Sequence, residues 1–179
     1  MIVWLNGPFG AGKTTTTRWL LDRRPGWRSF DPERVGYLLR DGLAGLPAGD
    51  FQDWRPWRTL VPAVLAEVSS FTGADLVAPQ TVLVEDYWHE LSQGFRTHGL
   101  DVVHVVLDVS PDVLEARIRA DDAERGAERW RVDHIGPYLA ARPWLHACAD
   151  LVVATDDLAP DGVAEAVLSV VGRTVPSHE

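Results

Sequence analysis

The chain has 179 residues, a length that fits one compact domain with its own hydrophobic core. Its net charge of −9 argues against broad contact with a nucleic-acid backbone, which requires a basic surface. Cys148 is the single cysteine, which excludes an intrachain disulfide framework, and the apolar run Ile2–Leu5 is too short for a secretion signal. No segment reaches the roughly 20 apolar residues of a spanning helix. We therefore expect a cytoplasmic protein without a membrane span.

Apolar runs alternate with helical patterns in the first part of the chain, which favours βαβ units and a parallel sheet. The predicted elements are a strand at Ile2–Leu5, a helix over about Gly12–Arg24, a short strand near Trp27–Phe30 and a helix from Asp31 to about Arg40. Pro56 and Pro62 then interrupt the helical pattern of Asp50–Gly73. We expect an irregular start there and a firmer helix after Pro62.

The second part of the chain continues the alternation. The predicted elements are a strand at Leu76–Pro79, a helix with Trp88, Leu91 and Phe95 on one face, a strand at Val102–Val109, a helix that starts at Ser110-Pro111, a strand at Leu151–Ala154 and a helix over about Pro160–Val171. The charged segment Asp121–Asp133 lacks clear periodicity and is predicted to be a mobile insertion. We expect one domain over residues 1–179, with a lid at about 121–134.

The segment Gly7-Pro8-Phe9-Gly10-Ala11-Gly12-Lys13-Thr14 matches the phosphate-loop pattern G-x-x-x-x-G-K-[ST]. Glycines allow the backbone to wrap closely around phosphates, and a following helix turns its positive end toward them. In such a loop Lys13 reaches the β- and γ-phosphates, and the Thr14 hydroxyl ligates Mg²⁺. The residues assigned to nucleotide binding are Gly7, Phe9, Gly10, Ala11, Gly12, Lys13, Thr14 and Thr15.

The nucleotide is predicted to be ATP with Mg²⁺. Guanine-binding relatives usually carry an Asn-Lys-x-Asp segment, and Lys13 is the only lysine among 17 basic residues. The alternative is a glycine-rich turn that arose by chance. The strand before the motif and the helix after it favour the phosphate loop.

The N-terminal loop, the length and an arginine-rich late segment resemble the small-molecule and nucleotide kinases, such as chloramphenicol phosphotransferase. This resemblance implies a three-layer α/β P-loop kinase fold with a five-stranded parallel sheet in the order 2-3-1-4-5. It also implies that lid arginines clamp phosphates and stabilise charge during transfer. The candidates are Arg117, Arg119, Arg125, Arg129 and Arg131, with Arg117 favoured as catalytic. Alternatively, they pair with nearby acidic residues at little net energy.

Longer phrases are similar to the tunicamycin-resistance protein family. They occur in order over roughly residues 1–119 and comprise Met1–Gly7 with the glycine loop, Phe30–Tyr37, Asp50–Gln52, Trp57-Arg58 and Val77–Thr81. The resemblance implies ATP binding and protection against tunicamycin, a fatty-acylated uracil nucleoside. Phosphorylation of the drug is the inferred mechanism.

The kinase resemblance also places an acceptor pocket opposite the phosphate loop, beyond the second strand. Asp31 is the candidate general base and, alternatively, only the cap of its helix. The predicted substrate contacts are Asp31, Arg34, Trp57, Arg58 and Gln80. Trp57 either stacks on the acceptor ring or packs in the core.

No acidic residue follows the third strand directly, where many phosphate-loop proteins place a Mg²⁺-organising Asp. Gln80 and Thr81 stand there, and Glu85 and Asp86 come later. Three functions therefore remain open: a kinase that phosphorylates tunicamycin or a similar nucleoside or sugar, an ATP-dependent protein that sequesters the drug, and a kinase of ordinary metabolites. We expect a monomer or homodimer.

Overall fold

The computed structural model describes residues 1–47 and 49–174. Its sheet has five parallel strands in the order β2-β3-β1-β4-β5. The strands are β1 (Ile2–Asn6), β2 (Arg28–Ser29), β3 (Leu76–Pro79), β4 (Val102–Asp108) and β5 (Leu151–Ala154). The predicted strand order is confirmed. β1 is the central strand, so the loop that starts at Gly7 lies at the middle of the carboxyl edge of the sheet.

Helices cover both faces of this sheet. In the described residues they are α1 (Lys13–Arg23), α2 (Glu33–Arg40), α3 (Arg55–Thr72), α4 (Glu85–Thr97), α5 (Pro111–Arg119), α6 (Glu128–Asp133), α7 (Ile135–Cys148) and α8 (Pro160–Thr174). Short 3₁₀ turns span Phe51–Asp53 and Asp122–Ala127. No helix of the described chain is both long and apolar enough to cross a bilayer.

Alternation along β1 divides the core into two apolar layers. Val3 and Leu5 face one cluster, which includes Leu20 of α1 and Val167 of α8. Ile2 and Trp4 face the other, which contains Trp57 of α3 and Leu91 of α4. All five residues of β1 are buried, as a parallel sheet with helices on both faces requires.

The start of α3 corrects one expectation. The helix is continuous from Arg55 to Thr72, whereas the sequence predicted a regular helix only after Pro62. Pro56 lies in the first turn, where backbone N–H groups have no intrahelical acceptor, so its lack of an N–H costs no hydrogen bond. Pro62 is accommodated because Gly94 of α4 lies against it; a Cβ at Gly94 would be 2.6 Å from Pro62 Cγ.

The segment after α5 also differs from the predicted irregular insertion. Residues Asp122–Ala127 form a 3₁₀ turn and Glu128–Asp133 form α6. Asp121 anchors this segment by accepting a 2.9 Å hydrogen bond from Arg131 Nη1. α7 has no counterpart among the predicted helices; its apolar residues Tyr138, Ala141 and Leu145 nevertheless pack into the core. The assignment of 121–134 as a lid stays a prediction.

Replacement of Trp57 by Ala tests the core around α3. Trp57 is fully buried, so Trp57→Ala should lower the free energy of unfolding by about 3–5 kcal/mol. Phe71→Ala is the control in the same helix, because Phe71 is 93% exposed and its loss should change the free energy by less than about 0.5 kcal/mol. Urea unfolding measures both values. Equal effects of the two substitutions would contradict the packing described here.

Candidate nucleotide site

Two glycines allow the loop after β1 to lie close to β4 and α5. Gly7 has φ +137°, and a Cβ on it would be 2.6 Å from the Leu107 carbonyl oxygen. Gly10 has φ +87°, and its Cβ would come within 3.2 Å of side-chain atoms of Leu114 and Ile118. A side chain at either position would have a strained backbone, and at Gly7 it would also collide with β4, so the loop conformation depends on glycine.

The first turn of α1 is suited to an anion. Gly12 is its N-cap residue and has no side chain to cap the first amides, and the first turn holds no acidic residue. By contrast, α2, α4, α5 and α8 all carry acidic residues in their first turns. The first hydrogen bond of α1 runs from Thr16 N to Gly12 O, so the preceding amides have no intrahelical acceptor. Phosphate oxygens are the natural acceptors for such groups.

Lys13 lies across the loop that precedes it. Its Nζ donates to Gly7 O at 2.9 Å, to Pro8 O at 2.8 Å and to Thr81 Oγ1 at 2.7 Å. These contacts hold the ammonium group against the loop. One short segment therefore carries both a cation and the uncapped amides of α1, the two kinds of donor that bind a polyphosphate.

The charge of Lys13 is sensitive to its surroundings. Burial, with a further contribution from the positive charge of Arg131, lowers the pKa of Lys13 to about 7. The carboxylate of Glu33 opposes this shift. Arg131 of the predicted lid and Glu33 of α2 therefore lie within electrostatic reach of the same ammonium group.

Thr81 lies just after β3, where many phosphate-loop proteins have an acidic residue. Its hydroxyl donates to Gly7 O at 2.8 Å while it accepts from Lys13 Nζ. Its carbonyl oxygen accepts from Gln52 Nε2 at 3.0 Å. Thr81 thus ties the end of β3 to the loop, a role that the sequence did not reveal because a threonine after a strand carries no distinctive signal.

The threonines after Lys13 divide into two pairs. Thr14 and Thr15 are exposed at the start of α1, whereas Thr16 and Thr17 are buried. The exposed hydroxyl of Thr14 is therefore available to a cation beside the phosphates. Among the residues whose side chains the structure describes, no three His, Cys, Asp or Glu side chains gather as a metal cluster. The role of Thr14 as a Mg²⁺ ligand stays a prediction.

The predicted acceptor side holds a pair of carboxylates at the start of α2. Asp31 Oδ1 accepts from the Glu33 amide at 3.0 Å, and its other oxygen lies 3.4 Å from Arg34 Nε. Burial and the neighbouring charge of Asp31 raise the pKa of Glu33. Glu33 was missed by the sequence reasoning, although its spacing of two residues from Asp31 was visible.

Three of the predicted substrate residues are buried. Trp57 is fully buried and donates its indole N–H to Pro32 O at 2.9 Å, which agrees with the alternative that it packs in the core. Arg58 is also buried; its guanidinium bonds Glu90 at 2.8 Å, which binds α3 to α4 instead of a ligand. Gln80 is 4% exposed, and its Nε2 donates to the Thr81 carbonyl oxygen at 3.4 Å. Trp57 and Arg58 are turned inward because α3 begins at Arg55, earlier than predicted.

The predicted lid contacts the loop through aromatic rings. Phe9 lies 4.7 Å from the ring of Trp130 and 5.5 Å from that of His134. Arg117 does not join them: it donates to the Thr155 hydroxyl at 3.0 Å and to the Thr155 carbonyl at 2.6 Å. Its proposed contact with phosphate stays a prediction. Arg131 forms an ion pair with Asp121, which agrees with the alternative that the lid arginines pair with nearby acidic residues.

The fold and the loop together define a P-loop protein of the kinase-like class. The chain belongs to the AAA domain family, whose model matches residues 2–134. No curated protein matches the sequence significantly.

Solved structures agree with this class. The tunicamycin resistance protein of Deinococcus radiodurans is 28% identical, with a TM-score of 0.71 over 96% of this chain and 95% of that one. A sugar kinase from Janibacter sp. HTCC2649 is 18% identical, with a TM-score of 0.71 over 97% and 95%. A gluconokinase from Sinorhizobium meliloti 1021 is 16% identical, with a TM-score of 0.66 over 96% and 91%. The last two likenesses show the fold, and the first agrees with the resemblance found in the sequence.

Lys13→Ala tests the cationic part of the site. Loss of the ammonium group should raise the Kd for ATP roughly 10- to 100-fold, the range for hydrogen bonds to charged groups. Arg18→Ala removes an exposed positive charge from the same helix and should leave the Kd within about twofold. Calorimetric titration with ATP and Mg²⁺ measures both. An unchanged Kd for ATP in Lys13→Ala would show that Lys13 does not contact the nucleotide.

The lowered pKa of Lys13 predicts a proton linkage. Phosphates favour the charged ammonium, so binding raises the pKa of Lys13 from about 7 and takes up a proton at higher pH. The Kd for ATP should therefore rise with pH above about 7, by up to roughly tenfold per unit, and be insensitive to this group below it. Calorimetry in buffers of different ionisation enthalpy measures the uptake. Equal heats in all buffers at alkaline pH would contradict the linkage.

Proposed function

We propose that this protein is an ATP-dependent phosphotransferase that transfers the γ-phosphoryl group to a hydroxyl of a small molecule, with tunicamycin as the leading acceptor. The observation that carries the proposal is that Lys13 Nζ is held against the loop while the first amides of α1 have no side-chain cap. Membership of the kinase-like P-loop class supports it. Cytoplasmic ATP would be the phosphoryl donor.

The loop residues bind and orient the donor. The amides around Gly10–Thr15 hold the phosphate oxygens, and Lys13 leaves its loop carbonyls to contact the β- and γ-phosphates. Thr14 would hold Mg²⁺, which neutralises charge that develops on the transferred group. Phe9 of the loop packs against the ring of Trp130, which joins the predicted lid to the loop. The chain thus supplies position and charge, which are the main needs of phosphoryl transfer.

On the acceptor side, we propose Asp31 as the general base. The acceptor oxygen forms a bond to the γ-phosphorus, the bond from that phosphorus to the bridging oxygen breaks, and ADP leaves. The hydroxyl proton passes to an oxygen of Asp31. Glu33 lies beside Asp31 and interacts electrostatically with Lys13, so it is suited to orient the acceptor hydroxyl by hydrogen bonding. Arg34 is held at 3.4 Å from Asp31 and keeps that carboxylate near α2.

Two observations support tunicamycin as the acceptor. The protein of that name from Deinococcus radiodurans matches nearly the whole chain at 28% identity. In addition, α2 and the turn after it expose apolar side chains: Tyr37, Leu38 and Leu46 are 47%, 74% and 58% exposed, and the Tyr37 hydroxyl donates to Glu33. Apolar surface beside a polar site is suited to an acceptor that carries an acyl chain.

One observation favours sequestration as the second candidate. Thr81 replaces the acidic residue that would organise Mg²⁺, and its hydroxyl is already committed to Gly7 O and Lys13. A site built in this way is expected to bind ATP well and to transfer its phosphate more slowly. Binding of the drug without transfer would give the same protection.

Incubation of the protein with γ-labelled ATP, Mg²⁺ and tunicamycin separates these functions. Label on the drug supports transfer, and stoichiometric binding without label supports sequestration. If neither occurs, release of ADP in the presence of sugars or nucleosides identifies a metabolic acceptor. Absence of ADP release with every acceptor would overturn the phosphotransferase proposal.

Asp31→Asn tests the proposed base. The substitution keeps the shape but removes the proton acceptor, so kcat should fall by about 10²- to 10⁴-fold while the Kd for ATP changes little. Asp41→Asn, in an exposed residue just after α2, is the control and should leave kcat within about twofold. Equal turnover of the Asp31 variant and the control would show that another group accepts the proton.

A further inference from the structure

Asn6 joins β1 to the phosphate loop and is fully buried. Its Oδ1 accepts from the Gly7 amide at 2.8 Å and from the Val82 amide at 3.0 Å. Its Nδ2 donates to the Val82 carbonyl at 3.2 Å. The side-chain oxygen therefore fixes the N–H of the first loop glycine, which has φ +137°.

The remaining N–H of Asn6 points to His104 in the neighbouring strand β4. Nδ2 of Asn6 lies 3.4 Å from Nε2 of His104. The register of the two strands produces this contact, because Trp4 is level with His104 and Asn6 lies two residues further along. Since an amide nitrogen is only a donor, Nε2 of His104 must be the acceptor.

The other side of the imidazole determines its tautomer. Nδ1 of His104 lies 3.2 Å from the Cys148 carbonyl oxygen, which accepts hydrogen bonds only. The proton therefore resides on Nδ1, and Nε2 presents a lone pair to Asn6. Trp88 fixes the ring plane by stacking at 3.8 Å, and burial lowers the pKa of His104 to about 4, which keeps the ring neutral.

We propose that His104 is a positioning residue for the phosphate loop: it accepts a hydrogen bond from Asn6 and so orients the amide whose oxygen holds the Gly7 N–H. The opposite orientation of the Asn6 amide would place its NH₂ group against two backbone N–H donors. Without His104 one buried N–H loses its acceptor, which weakens the preference for the correct orientation. The effect on ATP affinity rests on the proposed function; the effect on Gly7 does not.

Two substitutions of similar size separate this role from general packing. The side-chain amide of Gln reaches the position of Nε2 and retains an acceptor for Asn6, whereas that of Asn reaches the position of Nδ1 and retains only the contact with Cys148. Both remove the ring that stacks on Trp88, so both should lower Tm to a similar extent. His104→Asn should raise the Kd for ATP roughly two- to tenfold, the loss expected for one buried hydrogen bond, and His104→Gln should remain within about twofold of the wild type.

Hydrogen exchange of the Gly7 amide gives a readout that does not require ATP. Exchange should accelerate in His104→Asn and remain slow in His104→Gln. Equal exchange rates and equal Kd values in the two variants would overturn the proposal. A wild-type protein that binds no ATP would refute the proposed function, while the exchange rates would still decide the role of His104.

The wild-type tautomer provides a test that is independent of folding of the variants. A long-range ¹H–¹⁵N spectrum distinguishes a protonated Nδ1 from a protonated Nε2. We expect His104 to be protonated at Nδ1 alone at neutral pH. Protonation at Nε2 would contradict the proposal, because that nitrogen could then accept no hydrogen bond from Asn6.

Discussion

The carbonyl oxygen of Gly7 is the point on which the phosphate loop depends. It accepts hydrogen bonds from both Lys13 and Thr81, and the Gly7 amide is held by Asn6. Side chains from three separate parts of the chain therefore bond the backbone of one residue at the carboxyl edge of the central strand. Because a Cβ at Gly7 would collide with the backbone of β4, only glycine permits this arrangement. The position of the loop, and hence of the free amides of α1, follows from it.

The sequence predicted the parts of this arrangement that have a short-range signal. Alternating apolar runs gave the five parallel strands, and the spacing from Gly7 to Thr14 gave the loop and the helix after it. The family match over residues 2–134 agrees with that interpretation. These features were predictable because each depends on neighbours in the chain. Strand order came from a resemblance, since periodicity does not contain it.

The acceptor side was harder to predict because it depends on contacts distant in sequence. Trp57 and Arg58 were predicted to contact the substrate because prolines interrupt the helical pattern around them. However, α3 starts at Arg55 and turns both side chains inward, toward Pro32 and Glu90. Thr81 and His104 gave no signal, since their importance comes from the parallel strands that bring them beside β1. Local patterns identify a loop, whereas long-range packing decides which side chains surround it.

If the loop binds a nucleoside triphosphate, its backbone amides are the groups that contact the phosphates. A titration of ¹⁵N-labelled protein with ATP and Mg²⁺, followed by NMR, monitors each amide in turn. We predict saturable shifts that are largest for the amides from Gly10 to Thr15, at the start of α1. Saturable shifts confined to another surface, or none at any ATP concentration, would contradict it.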